Sequence, residues 1–132
     1  MYQVPKGTSD ILPDQQFLWN FIKDKAKNSS KIFGFEEIET PTFEETELFE
    51  RGVGPDSDIV QKEMYSFTDS SEKSFTLKPE GTAAVCRAFI QNGMNNLPKP
   101  IRLFYISSMF RHERPQSGRL RQHHQFGAEI FG

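Results

Sequence analysis

"IRLFYISSMFRHERPQSGRLRQHHQFGAEIFG", Ile101 to Gly132, decides the fold. Ile101–Phe110 is rich in β-branched and aromatic residues, and a second run, Leu120–Phe131, follows across a loop that holds Pro115 and Gly118. This composition predicts two long antiparallel strands. Side chains on a strand alternate between faces. Leu120, Gln122, His124, Phe126, Ala128 and Ile130 then share one face of the second strand. Arg121, His123, Gln125, Gly127 and Glu129 share the other, which makes a line of polar groups. Gly127 predicts a gap in that line, where a small ligand would lie against the backbone. At roughly 3.3 Å per residue, Gln125 and Glu129 stand about 13 Å apart on a straight strand, so twist and inward lean must shorten the span for one small ligand to touch both. An ordinary sheet with a solvent-facing polar side is the other reading of the same pattern.

Upstream, "VPKGTSDILP" (Val4–Pro13) reads as an extended entry segment punctuated by Pro5, Gly7 and Pro13. From Asp14, apolar residues recur at helical spacing through Phe17, Leu18, Phe21, Ile22, Ala26, Ile32 and Phe33, with Gly34 as the stop. "FEEIET" predicts a strand ended by Pro41, and "FEETELFERG" a short helix stopped by Gly52. "EMYSFTD" and "SFTLK" flank the turn-forming "DSSEK" and predict a hairpin. Pro79 and "TAAVCRAFIQNGM" predict a further helix. The expected fold class is α+β, a mostly antiparallel sheet flanked by helices.

The 132 residues make one domain's length, and thirteen phenylalanines are available for its interior. The single Cys86 excludes an internal disulfide and a cysteine-rich metal site, and suits a reducing, cytoplasmic setting. "MYQVPKGTSD" lacks the apolar core of a signal peptide, and no apolar run has membrane-spanning length. A net charge of −2 argues against a module that simply coats nucleic acid. Acidic residues dominate Glu36–Glu63, whereas Lys99–Arg121 is basic with Glu113 its one acid.

Arg111, Arg114 and Arg119 surround the loop of the predicted hairpin. Guanidinium forks match phosphate and carboxylate oxygens, so this cluster suits a polyphosphate better than it suits mere solubility. Glu80 and Thr82 sit at a predicted helix start, where Thr82 is a good N-cap type and Glu80 suits the positive dipole end. The functional reading makes Glu80 an acceptor for a cationic amine, with Thr82 as a second polar contact. His112, His123 and His124 do not form a metal site: adjacent strand residues face opposite ways and no H-x₃₋₅-H spacing occurs. Cys86, among small and apolar helix neighbours, reads as a core residue.

Together, "KGTSDILP", "LKPEGT" and "FRHERPQSGRLRQHHQFGAE" resemble, in order, the N-terminal part of the histidyl-tRNA synthetase family, within the class II aminoacyl-tRNA synthetases. "FRHE" and the arginine-bearing loop look like class II motif 2. The first helix with the strand ending at Pro41 looks like motif 1, which builds the family's dimer interface. The resemblance implies that residues 1–132 are the N-terminal portion of a class II catalytic domain, truncated before motif 3 and the anticodon-binding domain. It implies activation of L-histidine with ATP and Mg²⁺ and transfer to tRNA(His) by the full-length enzyme, working as a homodimer away from membranes. Arg111 would hold the ATP α-phosphate and the histidine carboxylate as they react. Glu113 would fix the adenine end and Arg119 would reach the γ-phosphate. Glu80, Thr82 and Gln125 would bind the amino group of histidine, and Glu129 would face its imidazole. His123 stands where the family commonly has an adenine-stacking phenylalanine, and Lys78 where arginine is frequent. The chain alone is expected to be a weak catalyst or none. The rival readings are a histidine-sensing paralogue, such as the regulatory subunit of ATP phosphoribosyltransferase, and a non-catalytic dimerisation fragment.

Overall fold

The computed structural model describes residues 1–53, 63–114 and 116–132. Pro115 of the hairpin loop and the acidic residues between 54 and 62 lie outside the described residues. In chain order the elements are α1 (Gln16–Ile32), β1 (Glu36–Glu37), β2 (Phe43–Glu45), α2 (Thr46–Val53), β3 (Ser66–Thr68), β4 (Ser74–Leu77), α3 (Thr82–Gln91), β5 (Ile101–Phe110) and β6 (Gln122–Phe131). A short 3₁₀ turn, Met94–Asn96, follows α3.

The predicted hairpin is the frame of the molecule. β5 and β6 pair antiparallel without a break from Ile101↔Phe131 to Phe110↔Gln122, and β1 joins the outer edge of β5 in parallel. A second antiparallel sheet, in the order β2-β4-β3, is held together by a chain of hydroxyls. Ser74 bonds Thr46 at 2.7 Å, Thr76 donates to Thr46 at 2.9 Å, and Ser66 meets Thr76 at 2.7 Å. Thr76 is fully buried, so these partners satisfy a hydroxyl that water cannot reach. In the turn between β3 and β4, the Asp69 carboxylate accepts from the Ser71 amide and hydroxyl and the Lys73 amide, and the Ser71 hydroxyl leads the causes that lower its pKa. This is the Asx-turn chemistry that "DSSEK" predicts.

The main core forms where α3 lies on one face of the β5–β6 hairpin. Val85 and Phe89 pack with Ile101, Leu103, Tyr105 and Met109, and Phe89 stacks on Phe131 at 4.0 Å. The opposite face meets α1, with Trp19 4.4 Å from the His124 ring. Helices thus flank both faces.

Three local expectations need correction. β2 takes the first residues of the stretch read as one helix, because Phe43–Glu45 has β4 to pair with. Gly52 does not stop α2 but sits inside its last turn, where an added Cβ would stand 3.0 Å from that of Ala83. The glycine is there for a close α2–α3 approach. "FEEIET" supplies only Glu36–Glu37 as regular strand. The apolar stripe of α1 also differs from a core stripe: Phe17, Leu18, Phe21 and Ile22 are each more than half exposed, as are Phe126 and Ile130 on β6.

Candidate active site

The alternation on β6 is as predicted, and of the two readings left open for its polar face the solvent-facing one does not hold. His123, Gln125, Gly127 and Glu129 are the half-buried set, and Phe126, Ala128 and Ile130 are exposed. The reason is α3, whose first turn covers the polar side. Glu80 turns back over that helix start, where its two carboxylate oxygens accept the amides of Thr82 at 2.6 Å and Ala83 at 3.0 Å. Gly81 is the N-cap residue, and Glu80 just before it satisfies the first helix amides in place of Thr82; a carboxylate at the positive end of the dipole is favourable there. Thr82 is freed for another partner and donates its hydroxyl to Glu129 at 2.7 Å. One hydrogen bond thus ties α3 to the far end of β6.

The gap expected at Gly127 is occupied by protein. Tyr105 is the cross-strand partner of Gly127, and its ring fills the space above both Gly127 and Gly81. A Cβ at either glycine would overlap the ring. The Tyr105 hydroxyl ends beside Thr82 and Glu129, and burial, reinforced by the Glu129 charge, raises its pKa. Tyr105 is the site residue that sequence reasoning missed. A lone glycine in a strand directly opposite an aromatic is the signal that finds it, because the aromatic covers the bare backbone. Between the two ends lies Gln125, whose Oε1 is buried without a hydrogen-bond partner. Such an acceptor is costly unless something polar meets it.

At the other end, Arg111 is anchored by its Nε to the Pro79 carbonyl at 2.9 Å, which leaves its two terminal nitrogens for other partners. Its backbone amide bonds the Arg121 carbonyl at 2.9 Å. His123 lies in the same neighbourhood: burial is the main cause lowering its pKa, with the Arg111 charge adding to it and Glu113 opposing. Glu113 stands 3.9 Å from the Nε of Arg119, whose side chain is largely exposed. The structure thus brings Arg111, Glu113 and His123 together, leaves Arg119 on the loop beside them, and groups Glu80, Thr82 and Glu129 around Tyr105. Lys78 is buried and donates to the Thr40 carbonyl at 3.2 Å, so it braces β4 from behind. Burial lowers its pKa, while Glu39 and Glu44 pull the other way.

Cys86 is half-buried and not sealed in the core. It lines a cavity of about 800 Å³ between α2 and α3, beside Leu48, Ala83 and Ile90, and burial pushes its thiol pKa up. Among the described residues no three His, Cys, Asp or Glu side chains converge on a metal-sized site. No helix among them is long and apolar enough to cross a membrane.

A polar strand face with an arginine cluster at one end and carboxylates at the other is the arrangement the sequence resemblance implied; comparison with known proteins bears on the family and the fold. The histidyl-tRNA synthetase family model matches residues 7–132. The chain belongs to the histidyl-tRNA synthetase family. It is 56% identical over 130 residues to the histidine–tRNA ligase of Clostridium novyi, which covers 98% of this chain and 31% of that relative. The ligase of Desulforudis audaxviator is 54% identical over 128 residues. Among solved structures, apo histidyl-tRNA synthetase from S. aureus superposes with a TM-score of 0.80 at 39% identity, over 98% of this chain and 33% of that one. A Bacillus halodurans protein described as an ATP phosphoribosyltransferase regulatory subunit/histidyl-tRNA synthetase gives 0.79 at 27% identity. The fold is therefore that of the histidyl-tRNA synthetases, and the chain spans about a third of the length of the curated relatives it matches.

Proposed function

We propose that this chain carries part of the site at which histidine is activated with ATP and, in the longer protein, passed on to tRNA(His). The observation that carries the reading is the single β6 face on which His123, Gln125 and Glu129 follow one another from the Arg111 end to the Glu80 end. The reaction suits these residues. The histidine carboxylate attacks the α-phosphorus, a P–O bond forms, and the bond to pyrophosphate breaks to give histidyl adenylate. The nucleophile is already ionised at neutral pH, so no general base is needed. The remaining task is to bring two anions together and to stabilise charge as it develops.

In this reading Arg111 spans the α-phosphate and the amino-acid carboxylate. Its Nε bond to Pro79 fixes the guanidinium plane before substrate arrives, which lowers the cost of ordering it. Glu113 and His123 hold the adenine end and Arg119 the γ-phosphate. The imidazole of His123 is biased towards its neutral form, which suits stacking on a base without adding charge. The buried acceptor on Gln125 meets the ammonium of histidine together with Glu80 and Thr82. Glu129 faces the imidazole, held in place by Thr82 and Tyr105. Mg²⁺ fits this chain as a companion of ATP, since it keeps most of its water and binds through phosphates and few carboxylates. When bound it would neutralise the departing pyrophosphate.

The exposed apolar groups of α1 and β6 support homodimer formation through the segment that resembles motif 1. A purely histidine-sensing role would leave the phosphate-directed set of Arg111, Arg114 and Arg119 without a task. The deciding experiment is histidine-dependent ATP–pyrophosphate exchange by the purified chain, with Arg111→Ala as control. Exchange above the control is expected if these residues suffice. If there is none, calorimetric titration with histidine and with ATP decides, and failure of both to bind a folded chain refutes the reading.

A further inference from the structure

The segment "KGTSDILP" holds none of the candidate ligands named above, yet it is fastened to them. Pro5–Thr8 forms a tight turn in which the Pro5 carbonyl accepts the Thr8 amide at 3.0 Å and its hydroxyl at 2.7 Å. The turn presents two successive carbonyls to the start of β6. That of Gly7 accepts the amide of Arg121 at 2.6 Å and of Gln122 at 3.4 Å, and that of Lys6 accepts Nη1 of Arg121 at 3.4 Å. Nε of the same guanidinium reaches the Glu113 carbonyl at 3.3 Å, and the Arg121 carbonyl accepts the Arg111 amide. Gly7 has φ +86°, and a Cβ there would stand 2.8 Å from Cγ of Arg121. Glycine is thus required both by the backbone and by the packed arginine stem.

We propose that the Pro5–Thr8 turn is a strap on the ATP side of the site and that Arg121 is its positioning residue. This rests on the reading of Arg111 and Glu113 as ATP contacts. Arg121 is occupied by backbone carbonyls on both sides and acts through the main chain of Arg111 and Glu113, not on phosphate. The planar fork matters because one guanidinium bridges two carbonyls in fixed directions, which a lysine ammonium cannot reproduce. The strap therefore holds the two ends of the arginine loop at one separation before ATP binds, and ATP need not spend binding energy on ordering them.

The test uses the 132-residue chain with two variants, Arg121→Lys and Gly7→Ala, each confirmed folded by its thermal melt. Amide hydrogen exchange read by NMR at positions 111, 121 and 122 reports the strap, and calorimetric titration with ATP and with histidine reports its effect. Both variants are expected to exchange these amides faster and to bind ATP about tenfold more weakly, the loss of roughly one hydrogen bond to a charged group. Histidine affinity should fall clearly less than ATP affinity, because only its carboxylate contact, to Arg111, lies at the strap end, while its ammonium and imidazole contacts lie further along β6. Arg121→Lys keeps charge and length, so it carries the test if Gly7→Ala does not fold. Faster exchange with unchanged ATP affinity would overturn the positioning role, as would equal losses for ATP and histidine. Unchanged exchange in both variants would overturn the strap alone. An unsubstituted chain that binds histidine but no ATP would overturn the strap's role alone, and one that binds neither would overturn the site reading as well.

Discussion

Tyr105 lies directly across from Gly127 on the paired strand, and its ring takes the volume that any side chain at 127 would need. The pair is a matched fit and not a vacancy. Gly127→Ala must push a buried ring, so a loss of about 1–3 kcal/mol in stability is expected, the usual cost of overpacking. Urea denaturation measures it. Tyr105→Phe should not relieve the clash, because the overlap involves ring carbons as well as the hydroxyl. Tyr105→Ala combined with Gly127→Ala should cost clearly less than the sum of the single changes. Strict additivity would show that the two residues do not share this space.

Glu80 has a structural task that is separable from any ligand it holds. Its carboxylate caps α3 with both oxygens, so Glu80→Ala should destabilise the chain by about 1 kcal/mol without histidine present. Glu80→Gln keeps one acceptor and should recover part of that stability, while losing the charge that an ammonium group would meet. Denaturant midpoints for both variants, set beside their histidine affinities, separate the two roles. If Glu80→Gln restored both in full, the charge would have no part in binding.

Trp19 is the single tryptophan, and it touches the ring of His124, so its fluorescence reports that imidazole. Burial is the main cause lowering the His124 pKa from 6.5, with Lys23 and His123 adding to it. His123 is lowered as well. Each folded pKa lies below the unfolded one, so between the two values the unfolded chain binds more protons. Stability is therefore full above the unfolded value of about 6.5 and falls as pH drops through the folded values. Denaturant midpoints at pH 7.5 and 5.5 should show that loss, and His124→Gln should reduce it. The Trp19 emission should titrate with a midpoint below 6.5. A midpoint above 6.5 would mean that His124 gains a proton on folding and would reverse the sign.

Where the sequence could be read, one chain segment contained the whole message. The period of two in Gln122–Phe131 and the β-branched run in Ile101–Phe110 need only each other to pair, so the hairpin and the shared face of His123, Gln125 and Glu129 were legible. What was not legible depends on contacts between distant segments. Thr82 looks like a cap until Glu129, 47 residues away, claims its hydroxyl. Gly52 looks like a helix stop until Ala83 approaches it, and Gly127 looks like a ligand gap until Tyr105 fills it. Periodicity identifies an apolar face but does not name what covers it. That is why α1 was recognisable as a helix while the exposure of its apolar stripe was not.

That stripe leads to a prediction of its own. Phe17, Phe21 and Ile22 on α1 and Phe126 and Ile130 on β6 are all more than half exposed, and patches of this kind on soluble proteins mark association surfaces. A second copy of the chain is the occupant that the motif 1 resemblance supports. Sedimentation velocity across a hundredfold range of concentration should therefore show a monomer–dimer equilibrium. Phe21→Asp should shift it towards monomer by at least about tenfold in Kd, since a charge there must be dehydrated to pair. Because Phe21 is exposed within the chain, the variant should keep its helical circular dichroism and change its melt little when dilute. A chain that sediments as a monomer at every concentration would remove the dimer and leave this surface without the partner assigned to it.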